Sequence, residues 1–251
     1  CNAQVKFGLL PQLAKANGVE FDKFATGHYA RVEEENGRFL LKRGVAPKKD
    51  QSYFLYRLTQ EQLKGIYLPL GGKTKDEIRE IAKSNGLNSA EKPDSQDFYG
   101  GDYNELLNIE DKIGNIVDLN GKVLGTHKGI WNYTIGQRKG LGIAAAEPLY
   151  VLELRKDTNE VVVGFADKTF KNSLVANKLN WIAIDKLTEE MNVTAKIRST
   201  QQPVPVKIIP IGEDEVKVVF EDAQKSIAIG QSAVFYQDDV VLGGGIIASV
   251  E

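Results

Sequence analysis

Cysteine, histidine, methionine and tryptophan are scarce in this 251-residue chain, which has one Cys, two His, one Met and two Trp. A single cysteine excludes an internal disulfide framework and any all-cysteine metal site built by one chain. No apolar run approaches the length of a membrane span, and no basic-then-apolar leader resembles a signal peptide. No membrane partner is therefore expected, and the cytoplasm is the expected compartment. An excess of charge is also lacking: 32 Lys and Arg stand against 34 Asp and Glu, for a formal net charge of −2. That balance excludes a strongly basic nucleic-acid binder. It leaves room for a local basic stripe, because patches rather than totals set phosphate contacts. The chain opens at Cys1 with no initiator methionine, which suggests a fragment, a processed product or a trimmed chain.

Apolar residues make up 42% and charged residues 26%, the proportions of an ordinary globular protein with core enough for two or three domains. Residues 5–16 carry a loosely helical apolar stripe. Pro11 marks a kink or a helix start in it, and Asn17-Gly18 ends it. Tyr29 to Leu41 reads as a strand pair around Glu34-Glu35-Asn36-Gly37. Two helices with capping boxes follow, Thr59 with Gln62 and Thr74 with Glu77, the second stopping at Asn85-Gly86. Strand, helix and strand in alternation indicate an α/β layer. From residue 112 the texture changes. A hairpin with a type I′ signal at Asn120-Gly121 precedes a second around Asp157-Thr158-Asn159. Short strands from residue 176 onward then predict a small antiparallel barrel. Trp131 and Trp181 sit in apolar runs and are expected in cores.

Chemistry concentrates in residues 20–56. A short apolar run ends in Thr26-Gly27-His28-Tyr29, a strand entering a glycine turn, where backbone N–H groups can approach a phosphate or a ring edge. Lys48-Lys49-Asp50-Gln51 beside Ser52-Tyr53-Phe54-Leu55 mixes phosphate-binding and base-reading side chains. Taken singly, Gly27 is a turn glycine, His28 a hydrogen-bonded surface histidine, and Asp50 a helix or turn cap.

Together, Ala25-Thr26-Gly27-His28-Tyr29-Ala30-Arg31 and Lys49-Asp50-Gln51-Ser52-Tyr53-Phe54-Leu55 resemble the tRNA-specific 2-thiouridylases, the MnmA/TrmU family. The resemblance continues in Leu68-Pro69-Leu70-Gly71, in Thr134-Ile135-Gly136-Gln137-Arg138-Lys139-Gly140-Leu141-Gly142, in Gly230-Gln231-Ser232-Ala233-Val234-Phe235-Tyr236 and in Leu242-Gly243-Gly244-Gly245. It implies an α/β part followed by mostly β structure. Residues 1–105 would be the rear half of an adenine-nucleotide alpha hydrolase-like (PP-loop) domain, 106–172 a small central β-rich domain, and 173–251 an antiparallel β-barrel. The implied activity is ATP- and Mg-dependent adenylation of the wobble uridine C2 oxygen of tRNA, with Lys, Glu and Gln acceptors as substrates. Sulfur from a persulfide donor protein then displaces AMP.

Residue by residue, the resemblance makes Gly27 an ATP contact and His28, Lys49, Asp50, Gln51, Arg198 and Gln231 tRNA contacts. Ser199 replaces the tyrosine of an Arg-Tyr pair; the bland alternative for Arg198 is a solvated strand charge. Cys1 falls at one of two catalytic cysteines. At the other, Asp94-Ser95-Gln96-Asp97-Phe98-Tyr99 puts Tyr99 where the family has the persulfide cysteine. The family's Ser-Gly-Gly-x-Asp-Ser phosphate loop does not occur in these residues, which implies a truncation ahead of Cys1 and an inactive fragment. Cys1 alone is insufficient for the chemistry. The alternatives are a non-catalytic tRNA-binding module, or a divergent sulfurtransferase that uses an iron–sulfur cluster, which one cysteine cannot ligate alone. The basic turn at Arg138-Lys139 either seats tRNA or lies near the cleft. His127 is expected to be structural, and no metal site is expected.

Overall fold

A computed structural model describes residues 2–87, 101 and 103–251; Cys1 and the 94–99 segment with Tyr99 lie outside the described residues. Contacts divide the chain into two compact units. One comprises Cys1–Lys92, Ser173–Glu221 and Ile229–Ser249; the other comprises Pro93–Asn172, Asp222–Ala228 and Val250–Glu251. Among the described residues, no helix is long and apolar enough to cross a membrane.

In the first unit, Asn2–Leu9 forms a π-helical segment that continues into α1 (Leu10–Ala16). Pro11 is the second residue of α1, next to the point where the two helical segments meet. Of the predicted stripe only Phe7 is buried, and Leu9, Leu10 and Leu13 stay about half exposed. β1 (Phe24–Ala25) leads to the hairpin of β2 (Ala30–Glu35) and β3 (Arg38–Arg43). Asn36 and Gly37 both take positive φ at its tip, as a type I′ turn demands. α2 (Gln60–Gly65), β4 (Ile66–Tyr67) and α3 (Lys75–Ser84) follow, and β4 pairs in parallel with β1. Both capping boxes are present, with each N-cap threonine and its N3 partner bonded reciprocally. Leu68-Pro69-Leu70-Gly71 then closes on the hairpin. A Cβ on Gly71 would overlap the Ala30 carbonyl, so no larger residue fits there.

The second unit holds β5 (Gly114–Val117), β6 (Val123–His127), β7 (Tyr150–Arg155) and β8 (Glu160–Gly164), in the order β6-β5-β8-β7. Its core is Ile116, Leu141, Val151, Val161 and Val163. The Asn120-Gly121 turn is not type I′, because Gly121 alone takes positive φ there. The Asp118 carboxylate explains the change: Oδ1 accepts from both Asn120 N and Lys122 N, at 2.8 and 2.9 Å, and a bulge follows in the ladder. His127 is buried with both ring nitrogens engaged, Nδ1 accepting from Gly129 N at 3.0 Å and Nε2 facing Asn159 O at 3.1 Å. Trp131, expected in a core, is 40% exposed.

The strands β9 (Phe170–Trp181), β10 (Met191–Lys196), β11 (Val204–Pro210), β12 (Glu215–Lys225), β13 (Ser232–Gln237) and β14 (Val240–Val250) close into a six-stranded antiparallel barrel. Their order is β13-β10-β11-β12-β9-β14, and β13 pairs with β14 to shut the ring. The β2–β3 hairpin extends this sheet from β14, through the Val240–Lys42 pairing and a bond from Arg43 N to Asp239 O. Four consecutive residues of β13 are buried, Ala233 through Tyr236. Phe235 stacks on Trp181, while Val234 and Tyr236 join the cluster that contains Tyr53, Leu55, Tyr56 and Leu58. A barrel strand with both faces covered loses the usual alternation.

Candidate nucleic-acid interface

The turn after β1 is fixed by short-range bonds. Thr26 N donates to Tyr67 O at 3.1 Å, and Thr26 Oγ1 lies 2.8 Å from His28 Nδ1. The His28 ring is half-buried against Phe7, with centroids 5.4 Å apart. Burial, reinforced by the nearby Lys6 charge, lowers its pKa to about 4. The imidazole is therefore neutral at physiological pH and offers one donor and one acceptor rather than a charge. Gly27 is exposed, and a Cβ there would meet only Leu70 Cδ1 at 3.5 Å, an ordinary contact. Packing does not require glycine at 27, whereas it does at 71.

Tyr29 ties this turn to the lysine-containing segment. Its N–H donates to Gln51 Oε1 at 3.0 Å, and its carbonyl accepts from Gln51 N at 2.9 Å. Asp50, next in line, has a side chain with no exposed surface. Its Oδ1 accepts from Gly44 N and Ser52 N, both at 3.1 Å, and its Oδ2 from Ser52 Oγ at 3.0 Å. Arg43 Nε approaches Oδ2 at 3.6 Å and Lys196 Nζ at 4.0 Å. The carboxylate is thus engaged by its own chain, as a turn cap would be, and an RNA cannot reach it without breaking these bonds.

Beyond Asp50, the segment is bound to the barrel. Tyr53 Oη donates to Ser232 O at 2.9 Å, Ser232 Oγ lies 3.1 Å from Tyr56 Oη, and Asn180 Nδ2 donates to Tyr56 O at 2.6 Å. Burial raises the Tyr53 phenol pKa above its ordinary value, partly offset by the Ser232 bond and by the Arg198 charge. Gln231, beside Ser232, is exposed; Lys49, Arg198 and Ser199 are half-buried, with a turn bond from Gln201 N to Arg198 O. Phe54 is half exposed although its neighbours Tyr53 and Leu55 are buried, and Asn2 Nδ2 donates to its carbonyl at 3.2 Å. Gly27, His28, Lys49, Asp50, Gln51, Arg198, Ser199 and Gln231 all fall in one compact unit, with Tyr29, Gln51, Tyr53 and Ser232 as the joints, while the Arg138-Lys139 turn falls in the other. Such a surface offers lysine and arginine for phosphates and amide side chains for base edges.

Sequence reasoning missed Arg43, Ser52, Lys196 and Tyr236, which stand behind this surface. The one local signal was a lysine inside an apolar strand run, Val193-Thr194-Ala195-Lys196-Ile197.

Residues 1–99 match a family model described as the tRNA methyl transferase HUP domain, 107–165 its PRC-barrel domain, and 171–247 an aminomethyltransferase beta-barrel domain. The tRNA-specific 2-thiouridylase MnmA of Endomicrobium trichonymphae is 50% identical over 251 residues, covering 98% of this chain and 70% of the relative. The chain belongs to the MnmA family of tRNA-specific 2-thiouridylases. The MnmA proteins of Clostridium perfringens and of a Picosynechococcus species are 49% and 48% identical, each covering all of this chain, and 71% and 73% of their own lengths. The domain descriptions speak of methyl transfer, but the relatives that span the whole chain are named for thiolation. Membership matches the observed order of parts: an α/β portion, a small β unit and a closed barrel.

Proposed function

We propose that this chain holds tRNA for 2-thiolation of the wobble uridine, with the surface from His28 through Lys49 and Gln51 to Arg198, Ser199 and Gln231 as the RNA contact. The observation that carries this reading is the pair of bonds between Tyr29 and Gln51, which unites the two sequence blocks into one surface. Lys49 and Arg198 supply charge for phosphates, and Gln51, Gln231 and neutral His28 supply hydrogen-bonding groups for nucleotide edges. Asp50 acts from behind, by holding the turn.

In the reaction, the uridine C2 oxygen attacks the α-phosphate of ATP, releasing pyrophosphate. The terminal sulfur of a cysteine persulfide then adds to C2, and AMP leaves with the oxygen. A second thiolate attacks the persulfide's inner sulfur, so the S–S bond breaks, the two cysteines close a disulfide and the thiocarbonyl is released. Gly27, exposed and with only Leu70 close to where a Cβ would stand, is this chain's residue for lying against the nucleotide; the residues of a phosphate loop are not in this sequence. The uridine set follows the family's Lys, Glu and Gln acceptors, and the sulfur comes from a persulfide donor protein. The proposed division of labour follows residues 1–105, 106–172 and 173–251.

Tyr99 favours a second reading. A phenol carries no sulfane sulfur and closes no disulfide with Cys1, so the chain would bind tRNA and leave sulfur transfer to another thiol. A cluster held by this chain's cysteines does not fit, since it has one. Expression in a bacterial strain lacking its own 2-thiouridylase, with nucleoside mass spectrometry of the tRNA, separates these readings. Appearance of 2-thiouridine supports catalysis, and tRNA binding without it supports the binding module. Absence of tRNA binding overturns both.

A further inference from the structure

Lys196 has no part in the reading above, yet it stands directly behind the RNA-contact segment. Its side chain, on β10, is 5% exposed, with Nζ 4.0 Å from Asp50 Oδ2 and 5.9 Å from the Tyr53 ring centroid. Arg198, two residues further along, acts electrostatically on the same Tyr53. Asp50 closes the Gly44–Ser52 turn by accepting three hydrogen bonds from its two ends, and Arg43 adds a second cation from the hairpin, its guanidinium 5.8 Å from the Tyr236 ring. One buried carboxylate thus joins three pieces of chain: the turn, the hairpin and the barrel.

Buried ions are a poor means of gaining stability, because desolvation offsets most of their attraction; their best-attested use is to fix one arrangement of the parts they join. We propose that Lys196 is a positioning residue for the RNA-contact segment. Through Asp50 it locks the Gly44–Ser52 turn to the barrel, so that Lys49 and Gln51, the immediate neighbours of Asp50, meet RNA in a single conformation. The inference rests on the reading of residues 49–51 as a tRNA contact.

The test is Lys196→Met beside Lys49→Ala, read by fluorescence anisotropy with an unmodified tRNA transcript and by amide hydrogen exchange of the free chain. Lys196→Met leaves the Asp50–Arg43 pair balanced in charge, so the fold is expected to persist. The Gly44 and Ser52 amides, which donate to Asp50, should exchange about tenfold faster while barrel amides keep their protection. Affinity for tRNA should fall several-fold, and Lys196→Arg should restore both. Unchanged affinity in Lys196→Met, with affinity lost in Lys49→Ala, overturns the positioning role and leaves the tRNA reading standing. Unchanged affinity in Lys49→Ala removes the segment from the interface and the inference with it. Uniformly faster exchange across the barrel also overturns it, because that is the mark of a merely structural lysine. If Lys196→Met does not fold, Lys196→Met/Asp50→Asn, which removes both ions of the pair, is read in the same way.

Discussion

Tyr29 and Gln51, 22 positions apart, hold each other at both polar groups of the Tyr29 backbone: its N–H donates to Gln51 Oε1 and its carbonyl accepts from Gln51 N. Only one of these bonds uses a side chain. Gln51→Ala should therefore remove one and keep the other, lowering stability by about 1 kcal/mol. The loosened turn should also weaken tRNA binding. Urea unfolding together with anisotropy checks both, and unchanged tRNA affinity would count against a role for this joint.

The half-buried His28 imidazole predicts a pH dependence with a definite sign. In the folded chain it takes a proton only near pH 4, against 6.5 for an ordinary histidine. Between those values the unfolded chain binds more protons, so this group's contribution to stability is present above pH 6.5 and is lost as pH falls towards 4. His28→Gln should flatten that part of the stability profile. Urea midpoints at pH 7, 5.5 and 4.5 provide the comparison; parallel profiles for the two chains would refute the assignment.

Glycines 71 and 27 should respond oppositely to alanine. At 71 the new methyl would overlap the Ala30 carbonyl, so the strand or the Leu68–Gly71 turn must move. Overpacking of this kind costs roughly 1–3 kcal/mol. At 27 the methyl meets only Leu70 at an ordinary distance, and stability should stay within about 0.5 kcal/mol. If Gly27 lies against a nucleotide, Gly27→Ala should still weaken ATP binding in a protein that carries the phosphate loop. Thermal melts and nucleotide titration distinguish the two effects.

Tyr99→Cys tests the sulfur route. If the chain relies on another thiol, the variant should form no persulfide when treated with a persulfide donor and should add no 2-thiouridine to tRNA. Persulfide detected at residue 99 by mass spectrometry, together with thiolation, would instead show that Tyr99 is a simple loss.

The sequence by itself determined whatever depends on neighbours along the chain. Thr59 with Gln62 and Thr74 with Glu77 specify helix starts because both partners of each box lie within one turn. Asn36-Gly37 specifies its hairpin because two consecutive residues must take positive φ. The order of the motifs also marked the family and the α/β-then-β plan. At Asn120-Gly121 the same dipeptide misled, because the Asp118 side chain captured the turn amides. Trp131 misled as well, since an apolar run does not say which face is covered.

What only the tertiary structure decided lies between distant segments. The hairpin at 30–43 adds to the barrel sheet, Asp50 turns inward between Arg43 and Lys196, and β13 is buried on both faces. Apart from the capping character of Asp50 and the lysine inside the apolar run at 196, these have no local signal. A buried carboxylate needs counter-charges and donors; those at 43, 44 and 52 are close to Asp50 in sequence, but Lys196 is brought within 4.0 Å only by the folded chain.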